Sequence, residues 1–298
     1  MTITYTRISE IPDLLGESPV WDALHSCLYW VDSVGCTIRR YTPATQKFDQ
    51  WKTPSAIGCV ALGQNNTLIA GLSDGFYQLD LASGMFTEVM LPVVPPNPEI
   101  RFNDGRVDRY GNFVCGSMGI HIKPIGELYR LDQDGHTEKL ANGIRISNSI
   151  AFSPDGKTFY FADSLDQNIR AYEYGDGNQP LTSARIFAET SILGSAPDGA
   201  TVDSEGYLWV ALVQAGKIAR FAPTGVLDRL IKSPVDMPSC LAFGGDNLDT
   251  LFITSIRNSG TGRIISRHPD GGHLFAINGL GVQGIAEPRY QQSVNTIA

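Results

Sequence analysis

Residues 198–228, DGATVDSEGYLWVALVQAGKIARFAPTGVLD, contain the pattern that decides the fold. A short apolar alternation is followed by the turn Ser204–Gly206 and then by two strand-like runs, Tyr207–Ala211 and Lys217–Phe221. Three short strands in about thirty residues leave no room for a helix. The stretch therefore predicts a small antiparallel β unit.

The same unit recurs six times along the chain. In each copy one residue directly precedes the first strand-like run, and successive residues of this kind lie 41 to 50 positions apart. A period of about 40–50 residues with several strands per repeat is typical of a β-propeller. We therefore predict an all-β fold, a single six-bladed β-propeller domain over residues 1–298 with negligible helix. The six preceding residues are Glu17, Gly58, Asn103, Asn148, Asp198 and Ser239.

The two ends of the chain are predicted to meet in the last blade. Residues Ile3–Ile8 form a strand-like segment before the first full copy, and a closed ring leaves no sheet edge open. We assign Ile3–Ile8 to the blade that contains Ile264–Ile277. The proline-rich residues 91–98 are predicted to form a stiff loop on one face of the ring. About the last eight residues are predicted to be loose.

The six preceding residues form a ring around the predicted channel, because the innermost strand of every blade lines the axis. Four of the six are Asn, Asp or Glu, which are depleted in strands. The turn preference of Asn and Asp can explain any one of them, but four in phase indicate a binding site. Two carboxylates and amide oxygens suit a hard divalent cation such as Ca²⁺, Mg²⁺ or Mn²⁺, with water or substrate completing the coordination.

Two local features support a site at this ring. Arg101 lies two residues before Asn103 and can point over the same channel mouth. A guanidinium there suits a carboxylate, a phosphate or sugar hydroxyls; the alternative is a solvated surface arginine. Pro197 and Gly199 on either side of Asp198 indicate a crowded, fixed backbone that aims one carboxylate.

The composition excludes several classes of partner. A net charge of −8 and a pI near 5.1 argue against a nucleic-acid surface. No apolar run is long enough for a transmembrane helix, and the first residues lack the features of a signal peptide. The five cysteines form no C-x-x-C pair and indicate reduced thiols. We predict a cytoplasmic protein that acts on a small molecule, binds neither nucleic acid nor membrane, and is a monomer or a weak homo-oligomer.

Short motifs spread over nearly the whole chain carry a further signal, while the G-x-S-x-G elbow, Gly-rich phosphate loops and zinc-type Cys/His spacings are absent from the sequence. The motifs are Gly16-Glu17-Ser18-Pro19 with Trp21, Arg101-x-Asn103-Asp104-Gly105, Gly116-Ser117-Met118, Ser147-Asn148 before Ser153-Pro154-Asp155-Gly156, Pro197-Asp198-Gly199, and Phe243-Gly244-Gly245 with Thr254-Ser255. As a set they resemble the SMP-30/gluconolactonase/LRE (senescence marker protein 30, regucalcin-like) family of six-bladed propellers.

The resemblance implies a reaction and a set of residue roles. The reaction is the metal-dependent hydrolysis of a sugar-acid lactone, or of a similar small γ- or δ-lactone, to the hydroxy acid. One divalent cation (Ca²⁺, Zn²⁺, Mn²⁺ or Mg²⁺) is implied to bind Glu17, Asn148 and Asp198. Asp198 is implied to transfer protons, and Arg101 and Asn103 to bind the substrate.

Two neighbouring positions complete the predicted site. Asp104 is a further substrate-binding candidate and the rival of Asp198 for the role of base. Animal members of the family carry an acidic residue two or three places after the residue that corresponds to Met118, and it contacts the sugar. Ile120 and His121 stand there in this chain, and we predict that His121 contacts the substrate. Two other functions stay open, namely phosphotriester hydrolysis at the same metal site and a non-catalytic propeller that binds calcium or sugar.

Overall fold

The computed structural model describes residues 2–90 and 97–292, and β-strands predominate in these ranges. Helical structure in the described part of the chain is limited to two 3₁₀ turns, Ser164–Asp166 and Ser191–Leu193. No helix in these ranges is long and apolar enough to cross a membrane. The predicted stiff loop and loose tail fall largely on residues 91–96 and 293–298, which lie outside the described residues.

Twenty-four strands are present in the described ranges, arranged as six four-stranded antiparallel sheets. They are β1 (Thr4–Arg7), β2 (Gly16–Asp22), β3 (Cys27–Asp32), β4 (Thr37–Thr42), β5 (Lys47–Lys52), β6 (Ile57–Leu62), β7 (Thr67–Leu72), β8 (Phe76–Asp80), β9 (Phe86–Met90), β10 (Ile100–Val107), β11 (Phe113–Gly119), β12 (Gly126–Leu131), β13 (Thr137–Ile144), β14 (Ser147–Phe152), β15 (Thr158–Asp163), β16 (Asn168–Glu173), β17 (Thr182–Glu189), β18 (Pro197–Val202), β19 (Leu208–Leu212), β20 (Lys217–Phe221), β21 (Leu227–Lys232), β22 (Pro238–Gly244), β23 (Thr250–Ser255) and β24 (Phe275–Asn278).

The sheets are the six blades of a β-propeller, which confirms the predicted fold. Five blades follow the chain, from β2–β5 to β18–β21, and the sixth has the order β22-β23-β24-β1. In this last blade Thr4 pairs with Asn278 and Arg7 with Phe275. The first strand of the chain therefore closes the ring against the last one, as predicted for Ile3–Ile8.

The third strand of the last blade occupies the end of the range assigned to that blade. The range was Ile264–Ile277, and β24 begins at Phe275. The intervening residues hold the turn-forming run His268-Pro269-Asp270-Gly271-Gly272, and before it Ile265 makes an isolated bridge to Asn258 rather than a ladder. A pair of apolar residues next to turn residues resembles a strand in sequence but lacks the length to pair as one.

Burial changes from the axis of the ring to its rim. All residues of β18 and β19 are buried, whereas β21 alternates between exposed and half-buried side chains. Inner strands pack against neighbouring blades on both faces, and outer strands face solvent on one. Aromatic side chains fill the space between blades, and Trp21 stacks on Phe252 of the neighbouring blade with ring centroids 5.7 Å apart.

Candidate active site

Every inner strand breaks its hydrogen-bond ladder at the position that was predicted to line the axis. The breaks fall at Glu17/Val20, Ile57/Cys59, Phe102/Gly105, Asn148/Ala151, Pro197/Ala200 and Pro238/Leu241. Such β-bulges bend a strand and turn a side chain away from the regular pleat. Ser18 (φ 49°) and Ser149 (φ 56°) directly follow two of the ring residues and occupy the left-handed region, which is uncommon for residues other than glycine.

A cavity of about 330 Å³ opens at this end of the channel. Five residues predicted to form the site line it: Glu17, Arg101, Asn103, Asn148 and Asp198. A groove of about 590 Å³ beside Trp30 and Phe48 is larger but lies away from the axis. The axial cavity is at the small end of the usual range for ligand pockets and suits one small molecule.

A hydrogen-bond network between blade 3 (β10–β13) and blade 4 (β14–β17) orients the two asparagine amides. Asn103 Nδ2 donates to the backbone oxygen of Ser147 (2.8 Å) and to Asn148 Oδ1 (3.0 Å). Asn148 Nδ2 in turn donates to Ser164 Oγ (2.8 Å). Because the amide nitrogens are engaged in this way, the oxygen of Asn103 and a lone pair of Asn148 Oδ1 stay available to a ligand.

Two serines hold the backbone around Asp198. Ser149 Oγ donates to the backbone oxygen of Asp198 (2.6 Å), and Ser164 Oγ donates to that of Pro197 (2.8 Å). Both serines belong to blade 4, and both acceptors belong to blade 5 (β18–β21). The carboxylate of Asp198 is therefore presented from a backbone that is fixed from the neighbouring blade.

The two ring carboxylates lie in an environment that disfavours their charge. Burial and repulsion from Asp198 and Asp104 raise the pKa of Glu17 well above its ordinary value, while Arg101 opposes the shift. Burial and repulsion from Asp104 raise the pKa of Asp198 to about 8, again against Arg101. The hydrogen bonds that lower these two pKa values come from the backbone at Ser18 and Gly199. A cation between the carboxylates would relieve this repulsion.

Asp104 does not line the cavity. Its Oδ2 accepts a hydrogen bond from the amide of Ile150 (2.8 Å), and it lines a separate small void with Arg106 and Cys240. Burial raises the pKa of Asp104 to about 6. The bulge between Phe102 and Gly105 turns Asn103 and Asp104 toward different spaces. The structure thus gives Asp104 an electrostatic effect on the ring from outside the cavity lining, and its role in substrate binding stays a prediction.

His121 also lies outside the cavity. It is exposed, whereas the residues on either side of it, Ile120 and Ile122, line the wall. Ile122 has φ 56° in a tight turn, and its amide donates to the backbone oxygen of Gly119 (2.8 Å). This turn places the side chains of Ile120 and Ile122 on the cavity and that of His121 outside it, and contact of His121 with the substrate stays a prediction.

The residues present fit a hard divalent cation. In residues 2–90 and 97–292 no three His, Cys, Asp or Glu side chains could hold a metal by themselves. The available donors are instead the carboxylates of Glu17 and Asp198 and the amide oxygens of Asn148 and Asn103. An all-oxygen set suits Ca²⁺, Mg²⁺ or Mn²⁺ and is less typical of Zn²⁺, which favours nitrogen and sulfur ligands.

The fold and site define a class of protein: a six-bladed propeller with one axial cavity whose polar floor carries carboxylates, amides and an arginine. Residues 15–257 match the SMP-30/Gluconolactonase/LRE-like region. The chain therefore belongs to the SMP-30/gluconolactonase/LRE-like family, which confirms the resemblance that its motifs indicated.

Relatives of known name match over nearly their whole length. The chain is 35% identical to 6-deoxy-6-sulfogluconolactonase of Pseudomonas putida over 294 residues, which are 97% of this chain and 99% of the relative. It is 31% identical to regucalcin of Danio rerio over 280 residues, 93% and 94% of the two chains. The structure resembles that of the calcium-binding protein regucalcin from Agrobacterium tumefaciens, with a TM-score of 0.88, 27% identity and coverage of 95% and 96%.

The apolar wall of the cavity was not predicted from the sequence. Most of its residues come from loops that belong to different blades, and no spacing in the sequence relates them to one another. Met118 is the exception, because it belongs to a motif that was singled out. The other apolar residues of the wall are Leu15, Ile120, Ile122, Ile146, Leu165, Val213, Ile256 and Ile264.

Proposed function

We propose that the protein hydrolyses the ring ester of a small lactone to the hydroxy acid with the help of one divalent cation. Sugar-acid lactones of the aldonolactone type are the first class to consider, because one relative is named for a sulfogluconolactone. The observation that carries the proposal is the convergence of Glu17, Asp198, Asn103, Asn148 and Arg101 on one cavity. The calcium-binding regucalcin among its structural relatives supports the cation.

In this proposal Asp198 moves the proton. A divalent cation held by Glu17, Asn148 and Asp198 would polarise the ester carbonyl and lower the pKa of a bound water. Asp198 accepts the proton of the attacking water as the new C–O bond forms. It returns this proton to the ring oxygen as the old C–O bond breaks, so the alkoxide leaves as an alcohol.

Arg101 and Asn103 orient the substrate. Arg101 Nη1 donates to the backbone oxygen of Phe102 (2.9 Å), which anchors one arm of the guanidinium and leaves other donors for the cavity. Asn103 offers its amide oxygen beside that arginine. Fixing the ester between these groups and Asp198 lowers the entropic part of the barrier.

The proposal is tested with protein stripped by a chelator and supplied with Ca²⁺, Mg²⁺, Mn²⁺ or Zn²⁺ in turn. Proton release is followed with D-glucono-δ-lactone and other small lactones, and corrected for spontaneous hydrolysis. We expect turnover that needs added metal and that the Asp198→Asn variant lacks, while the exposed-site control Asp176→Asn retains it. Turnover of phosphotriesters without turnover of lactones, or metal binding with no turnover at all, would replace the proposal with one of its two alternatives.

A further inference from the structure

We propose that the lactone taken by this cavity carries an aliphatic substituent and is not densely hydroxylated. This inference rests on the proposed hydrolysis of a small lactone. Within that reaction it favours alkyl-substituted lactones over the aldonolactones that the name of one relative suggests. Above the polar floor the wall is built mainly from aliphatic side chains. Those that carry the argument are Ile120, Ile122, Leu165, Val213, Ile256 and Ile264.

Part of this apolar wall is open to solvent. Ile122 and Leu165 line the cavity and are each 40% exposed, while Val213 and Ile256 lie deeper and are buried. Covering such side chains with an apolar group removes their surface from water and favours binding, whereas covering them with hydroxyl groups does not. The wall therefore distinguishes between an alkyl and a polyol substituent.

Four polar side chains lie at the edge of the wall, and each makes a contact within the protein. Ser259 Oγ and Thr261 Oγ1 bond to each other at 2.8 Å. Arg263 Nη2 donates to the backbone oxygen of Ile120 (3.4 Å), and Gln214 Oε1 accepts from the amide of Ala196 (3.4 Å). Along the aliphatic part of the wall a hydroxyl group has no side-chain partner, and a buried hydroxyl without a partner is costly.

The conformation of Ile122 points in the same direction. A β-branched residue at φ 56° is a genuine outlier, and such strain persists where the surrounding structure holds it. Asn or Gly would occupy this position without strain. The chain instead places an isoleucine there, with its side chain on the cavity wall.

The first test compares three lactones on the metal-supplied protein: D-glucono-δ-lactone, unsubstituted δ-valerolactone and δ-nonalactone, whose ring carries a butyl chain. We expect kcat/KM for δ-nonalactone to exceed the values for both other lactones by about tenfold or more, the size of effect that apolar pockets produce. A higher kcat/KM for gluconolactone than for δ-nonalactone would overturn the inference and leave the proposed function intact.

The second test changes the wall itself. Ile122→Asn introduces a polar residue that tolerates the left-handed region, so the turn is expected to hold. We expect kcat/KM for δ-nonalactone to fall about tenfold, with little change for δ-valerolactone. The matched control is Ile192→Asn, since Ile192 is 82% exposed and lies outside the cavity wall. An equal loss on both lactones would assign Ile122 a structural role and overturn the inference.

A binding measurement separates this inference from the proposed function. A cyclic ketone with the same butyl chain lacks the ester bond, so its affinity reports on the wall and not on hydrolysis. Calorimetry should show tighter binding of this ketone than of unsubstituted cyclohexanone, and a weaker preference in Ile122→Asn. If no lactone is hydrolysed and this preference is present, the reaction is wrong and the apolar specificity stands; if the preference is absent, the apolar specificity is wrong.

Discussion

Two buried aspartates at opposite ends of one strand show how the propeller separates structure from chemistry. Asp198 is the second residue of β18, and Asp203 directly follows its last residue. Both are nearly inaccessible to solvent, with 7% and 0% exposure. They share a strand, a blade and a degree of burial, and they differ in what surrounds the carboxylate.

The carboxylate of Asp203 is saturated with donors. Its Oδ1 accepts from the amides of Glu205 and Tyr207 (both 3.0 Å), and its Oδ2 accepts from Trp209 Nε1 and Arg220 Nε (both 2.8 Å). Asp198 instead has acidic neighbours and a pKa raised by burial and by Asp104. A buried carboxylate with a full set of hydrogen-bond donors stabilises a turn. A buried carboxylate that has few donors and acidic neighbours favours binding a cation or a proton.

The largest effect that this contrast predicts is on turnover. Asp198→Asn keeps the shape and one oxygen but has no basicity, so kcat should fall by about 10²–10⁴-fold. Rates are compared at saturating metal for proteins with equal thermal midpoints. If the variant keeps more than about a tenth of wild-type kcat, Asp198 is not the base.

The next largest effect is on folding and belongs to the other aspartate. Asp203→Ala leaves the buried Arg220 without its innermost partner and Trp209 Nε1 without an acceptor. We expect the free energy of unfolding to fall by about 3–5 kcal/mol, measured by urea denaturation. Asp228, a more exposed partner of Arg220, provides the control, and Asp228→Asn should cost about 1 kcal/mol or less. Equal losses in the two variants would contradict the contrast.

A third effect is a dependence of stability on pH in metal-free protein. In the unfolded chain Asp198 ionises near its ordinary pKa of 3.8, while burial and repulsion from Asp104 raise its pKa in the folded protein to about 8. Between these values the folded state binds more protons, so wild-type stability falls as pH rises. Asp198→Asn removes this contribution, and the thermal midpoint of the variant relative to wild type should therefore increase with pH. Parallel curves for the two proteins in a chelator would show that burial does not shift this carboxyl group.

The smallest expected effect is at the arginine that opposes the acids. Arg101→Ala removes a positioning donor, so KM should rise by about tenfold while kcat changes less. Steady-state kinetics at saturating metal give both constants. A loss confined to kcat would mean that Arg101 acts in the transition state rather than in substrate binding.

The ring residues could be predicted from the sequence because they recur in phase. Each copy places Glu17, Asn148, Asp198 and their counterparts one step before an apolar run, and a propeller converts that phase into a circle around one axis. Local pairing along the chain likewise determined five of the six blades. The prediction depended on repetition, which a single sequence displays in full.

Features that depend on the bend of a single strand or on contact between loops could not be predicted. The bulge that sends Asn103 into the cavity and Asp104 away from it depends on the neighbouring strand and leaves no mark in the residue pattern. The turn with Ile122 in the left-handed region places Ile120 and Ile122 on the cavity, where His121 was expected. The cavity wall joins loops from several blades, and their relation exists only after folding.

The break in every inner ladder has a consequence for how such a protein can diverge. At four of the breaks the ring residue itself is unpaired, whereas Glu17 and Asn148 pair with Val31 and Ala162 at the edge of the break. Because the ladder is made by backbone atoms, exchanging the side chain at such a position leaves the pairing of the blade in place. Two of the six positions lack this freedom: a Cβ at Gly58 would lie 2.3 Å from the backbone oxygen of Phe102, and Ser239 Oγ donates to that of Gly16 at 2.5 Å. The side chains of the remaining four, Glu17, Asn103, Asn148 and Asp198, line the cavity. A few substitutions at these positions can therefore change the chemistry of the site while the blades stay paired.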